Sequence, residues 1–72
     1  MVRAKIITIG DELLAGFTLN TNGSHIGMKL NTAGLAVTGI DMVADTAESI
    51  MTALDRAGRD AEIAIVTGGL GP

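Results

Sequence analysis

The chain has 72 residues, 47% of them hydrophobic, with a formal net charge of −3, one aromatic residue (Phe17), one histidine (His25) and no cysteine. That length allows one small domain, burying only about 60% of the surface its unfolded form exposes, and the composition excludes a disulfide framework and disfavours a zinc staple. With no Lys/Arg cluster, no run of about 20 apolar residues and no signal-peptide pattern, the chain reads as a soluble cytoplasmic protein that binds neither nucleic acid nor membrane.

Ala4 to Ile9 predicts the first strand, a nearly continuous β-branched run of the kind covered on both faces. Gly10 ends it, and residues 11–17 read as a loop or short irregular turn. Asn20-Thr21-Asn22 marks a helix start, because short polar side chains accept bonds from first-turn N–H groups. The helix is expected from Thr21 to Thr32, with Ile26, Leu30 and Ala33 on one face and Gly23 and Gly27 continuing it. Gly34 then serves as the glycine beyond its C-terminus.

Leu35 to Val43 predicts the second strand, in which Gly39 weakens the run or marks a bulge. Either Asp45 or Thr46 caps the next helix; with Asp45 as cap, Glu48 completes a capping box. Ala47, Ile50, Leu54 and Ala57 form its apolar stripe, and Gly58 is expected to end it. Glu62 to Thr67 predicts the third strand. The methionines Met28, Met42 and Met51 read as core filler. The β-α-β-α-β order implies parallel strands with right-handed crossovers. The open edge after the third strand needs covering, by further chain or by another subunit, and a homo-oligomer is expected.

The chemistry-bearing residues follow the strands. Thr67-Gly68-Gly69-Leu70-Gly71-Pro72 could converge backbone N–H groups on an anion, although a tight turn explains the same glycines. Asp11 and Glu12 could hold a divalent metal or position water, or be solvated loop acids. Asp45 could accept bonds from a ligand's hydroxyl or amino groups, or simply cap a helix. Asn20-Thr21-Asn22 could receive an anion at a helix start. His25 has no triad-like partner and is expected at the surface. No nucleophile is evident.

Taken in order, Ile9-Gly10-Asp11-Glu12-Leu13-Leu14-Ala15-Gly16, Asn20-Thr21-Asn22, Val43-Ala44-Asp45 and Val66-Thr67-Gly68-Gly69-Leu70-Gly71-Pro72 resemble the amino-terminal domain of the CinA family. That competence/damage-inducible family belongs to the molybdopterin-binding superfamily. Leu70 favours CinA-like proteins over relatives devoted to molybdopterin, which usually carry Thr there. The resemblance implies a three-layer α/β/α fold with a mostly parallel sheet, of which residues 1–72 would form an incomplete amino-terminal portion. It implies a pocket for a phosphorylated nucleotide or pterin at strand ends, and metal-dependent hydrolysis of the ADP-ribose pyrophosphate.

On that resemblance Asp11 and Glu12 would position metal or water, while Asp45, Thr67, Gly68, Gly69 and Gly71 would bind the ligand. A divalent metal ion is the expected cofactor; the alternative is a module that holds molybdopterin without hydrolysis. The family continues past the proline with Thr and an acidic pair and often adds a deamidase domain. Without those, the 72 residues alone are expected to be inactive.

Overall fold

The computed structural model describes residues 1–16 and 20–68, with Glu12 through its backbone alone. Three strands, β1 (Arg3–Ile9), β2 (Ala36–Val43) and β3 (Ile63–Gly68), form one parallel sheet in the order β2-β1-β3. The helices are α1 (Asp11–Leu14), α2 (Thr21–Thr32) and α3 (Ala47–Asp60). Among the described residues no helix is long and apolar enough to cross a membrane.

Burial follows from the order of the strands. β1 lies between the other two, and Ala4, Ile6 and Ile7 are fully buried on its alternating faces. Gly27 of α2 sits over Ile6 and Ile40, whereas Ala53 and Ala57 of α3 pack against Ile7 and Ile9, with Val43 and Ile50 at their margin. The two long helices therefore cover opposite faces. The chain moves from β1 to β2 with α2 on one face, then back past β1 to β3 with α3 on the other, so both crossovers have the same hand.

The predicted α2 bounds are observed. The Asn20 side chain accepts the Gly23 N–H at 3.2 Å, and the helix closes with Gly34 at φ 93°. There Gly34 N–H donates to the Asn31 carbonyl and Leu35 N–H to the Leu30 carbonyl, both at 3.0 Å, which satisfies the last orphan carbonyls. Gly39 does mark an irregularity: the β1–β2 pairing shifts by one residue between Ala4 and Lys5.

Three expectations are corrected and one open choice is decided. Residues 11–14 form a short helix instead of a loop. Thr46, not Asp45, caps α3, its hydroxyl accepting the Ser49 N–H at 3.2 Å; the capping box built on Asp45 is therefore not formed. Gly58 does not end α3, which runs on to Asp60, and Ala53 joins Ala57 in the buried stripe while Ala47 and Leu54 are exposed. Met28, Met42 and Met51 are 70%, 46% and 66% exposed, so they are not core filler. Three strands and two covering helices enclose only the β1 side chains and the small residues facing them.

Gly58 has open space around it inside α3. Replacing it with Ala, Gly58→Ala, is expected to raise stability by about 1 kcal/mol through helix propensity alone, read as the unfolding midpoint in urea.

The rim opposite the strand ends is closed by Arg3 and Glu62. The Arg3 guanidinium donates to Glu62 from Nε at 3.0 Å and lies 2.9 Å away through Nη2, and Glu62 N–H donates to the Arg3 carbonyl. The hydrogen bond from the Arg3 side chain holds the Glu62 carboxyl below its usual value. A lowered folded-state value means the pair contributes above the ordinary carboxylate pKa and stops contributing as pH falls through the lowered one. Glu62→Gln should therefore be slightly less stable than the parent at pH 7, with the difference closing in acid; parallel melts between pH 7 and pH 2 check this.

Candidate functional site

The carboxyl ends of all three strands open on one rim. Gly10 N–H donates to the Val43 carbonyl at 3.0 Å, which ties the end of β1 to the end of β2. On the other side Ile9 pairs with Gly68 and Thr8 with Thr67. Strand order reverses at β1, and in open α/β sheets ligands bind outside the carboxyl ends at such a reversal.

Asp11 and Asp45 come together on this rim. One carboxylate oxygen of Asp11, the first residue of α1, accepts the Asp45 backbone N–H at 3.1 Å. Both residues are exposed. The contact holds the start of α1 against the β2–α3 turn, and with Thr46 as cap it leaves the Asp45 carboxylate with no helix to serve. Glu12 lies beside Asp11 in α1, its side chain outside the described residues.

Thr67 and Gly68 lie across β1 from Asp45. Gly68 has φ 91°, and a Cβ built there would collide with the Ile9 carbonyl oxygen. Glycine is therefore required at this position by the close approach of β3 to β1, before any ligand is considered. Gly69 and Gly71 lie outside the described residues, together with Leu70 and Pro72.

Sequence reasoning missed Thr8. Its hydroxyl, on a residue only 2% exposed, accepts from Asn20 Nδ2 at 3.1 Å and lies 3.4 Å from the Asp41 carbonyl, to which it donates. The amide of Asn20 thus fastens the start of α2 to β1 while also capping it. A polar residue inside a β-branched run was the available signal. His25 is exposed, as expected of a surface residue.

A second region was also missed. An open cleft of about 340 Å³ lies beside the end of β2, walled by Leu14, Ala44, Glu48, Ser49, Thr52 and Arg56. Neither Thr67 nor Gly68 lines it. Ser49, Thr52 and Arg56 share the i, i+3, i+7 spacing of one helical face, which is the signal that could have found it.

Among the described residues no three His, Asp or Glu side chains form a metal-binding group. Asp11 and Asp45 supply two carboxylates, and one oxygen of Asp11 is already occupied by a backbone N–H. The described residues thus do not by themselves make a cage for a divalent ion.

A parallel sheet with helices on both faces and its turns gathered at the strand carboxyl ends defines an open α/β domain. The family described as "Probable molybdopterin binding domain" matches residues 5–72, and the chain belongs to that family. Within it the likeness is to CinA. A CinA-like protein of Salinibacter ruber is 46% identical over 71 residues, covering 99% of this chain and 17% of that protein. A protein of Pyrococcus furiosus is 46% identical over 70 residues, covering 96% of this chain and 28% of that one. The crystal structure of CinA from Thermoplasma acidophilum, described as of unknown function, superposes with a TM-score of 0.92 at 37% identity, covering 97% of this chain and 41% of that one. The chain therefore spans a minor part of the length of these relatives.

Proposed function

We propose that this domain binds a phosphorylated heterocyclic ligand at the rim formed by the carboxyl ends of β1, β2 and β3, and that the ligand is a nucleoside diphosphate derivative of the ADP-ribose type. The observation that supports this most is the Asp11–Asp45 hydrogen bond. It brings the turns after β1 and β2 to one point of the rim while Gly68 carries the end of β3 alongside. In this reading the backbone N–H groups after β3 take the phosphates. Asp45 takes hydroxyl or amino groups of the sugar or base, and Asp11 and Glu12 position water.

In the whole protein the matching activity is hydrolysis of the pyrophosphate, with a divalent ion supplying Lewis-acid chemistry when bound. Among the described residues, the Asp11 and Asp45 carboxylates are the groups on this rim that would hold it. The second reading is a pterin-phosphate binder without turnover, and the description of the matching family favours it. The experiment is incubation of the whole protein with ADP-ribose and Mg²⁺, following AMP, beside a titration with a pterin phosphate. Release of AMP that stops on chelation supports the first reading. Pterin binding without AMP release supports the second, and the absence of both AMP release and pterin binding would overturn the assignment of this ligand class to the rim.

A further inference from the structure

We infer that the ion pair between buried Lys5 and half-buried Asp41 selects the pairing register of β2 on β1, a choice that the apolar pattern of the strand leaves open.

Lys5 is only 8% exposed, and its ammonium lies 3.3 Å from Asp60 and 3.9 Å from Asp41. These groups come from β1, the end of α3 and β2. The pairing runs Arg3 with Ala36 and Ala4 with Val37, then skips Thr38, so that Lys5 meets Gly39, Ile6 meets Ile40 and Ile7 meets Asp41. This one-residue bulge turns Asp41 to the face that carries Lys5, Ile7 and α3. Gly39 lies under the ammonium, where an added Cβ would sit 3.4 Å from Nζ.

Without the skip, Lys5 would meet Thr38, Ile7 would meet Ile40 and Thr8 would meet Asp41. A one-residue slip moves every later side chain of a strand to the opposite face. Ile40 and Met42 would then face α3, and Asp41 and Val43 would face α2. Both faces are covered by helices, and in either pairing the apolar residues of this stretch divide two and one between them. Burial alone therefore does not discriminate. Charge does: in the slipped pairing Asp41 would enter the α2 face beside Thr8, on the side of the sheet away from Lys5, and Lys5 would keep Asp60 alone. A buried carboxylate is retained where an opposite charge meets it, and registry is the best-attested use of such a pair.

The test uses the full chain and amide-to-amide nuclear Overhauser effects across β1 and β2. In Lys5→Met/Asp41→Asn, which removes both charges at similar volume, two sets of cross-strand contacts are expected, one with Ile7 opposite position 41 and one with Ile7 opposite position 40. In Ile40→Asp/Asp41→Ile, which moves the acid by one residue at constant composition, the pairing is expected to slip by one, so that position 40 comes opposite Ile7. Native contacts alone in both variants would overturn the inference. Should the transposed chain fail to fold, the uncharged variant decides by itself: a single native set overturns the inference, and two sets support it.

Discussion

Gly68→Ala is expected to lower the unfolding temperature by about 10 °C and to detach the end of β3 from β1. The left-handed backbone at φ 91° costs a residue with a Cβ about 1–2 kcal/mol. The new methyl would also run into the Ile9 carbonyl, so the strand must move away or twist. Together these exceed about 2 kcal/mol, and in a chain of this size each kcal/mol shifts the midpoint by about 4–8 °C. The local signature separates this from general destabilisation. Amide exchange should accelerate at residues 65–68, while the Arg3–Glu62 end of the strand, held by its own hydrogen bonds, keeps its protection. Uniform loss of protection along β3 would show that Gly68 matters only as one more residue of the strand.

Ile7→Ala is expected to bring the chain close to its unfolding limit at room temperature. Ile7 is fully buried between the sheet and α3, in a cluster with Ile9, Ala53 and Ala57. Truncating a buried isoleucine costs about 2–5 kcal/mol, and more where the site collapses poorly. Its neighbours on α3 are Ala53 and Ala57, whose Cβ atoms are fixed by the helix and leave little side chain with which to fill a gap. At roughly 0.05–0.15 kcal/mol per residue the stability of such a chain is about 4–11 kcal/mol. One substitution would therefore remove a large part of it. The check is urea unfolding followed by circular dichroism. Exposed Met51→Ala on the outer face of α3 serves as control and should change the midpoint little.

The contrast between Ile7 and Met51 also shows what the sequence could and could not tell. Local signals were legible where one residue type satisfies one backbone demand. Asn20 before Thr21 and Gly34 after Thr32 bounded α2 correctly, because the cap amide and the positive φ each act within one turn. Gly39 announced the bulge for the same reason. Gly58 misled, since a glycine inside an exposed helix costs only about 1 kcal/mol; the last turn is secured from outside, by the Lys5 ammonium on Asp60.

The choice between Asp45 and Thr46 as cap was decided by tertiary structure as well. Asp11 holds the Asp45 N–H, and the Thr46 hydroxyl, not the Asp45 carboxylate, takes the first-turn N–H of Ser49. Of the candidate site, the gathering of turns at one rim followed from strand order alone. The direct Asp11–Asp45 bond and the role of Thr8 did not, because each depends on how β1 sits beside another element.

If the strand carboxyl ends form the ligand-binding rim, titrating the isotope-labelled chain with ADP-ribose in the presence of Mg²⁺ should move backbone amides there first. The largest saturable shifts are expected at Gly10, Asp11, Asp45, Thr46, Thr67 and Gly68. Shifts gathered instead at Arg3, Ala36 and Glu62 on the opposite rim, or no saturable shift with either ADP-ribose or a pterin phosphate, would contradict it.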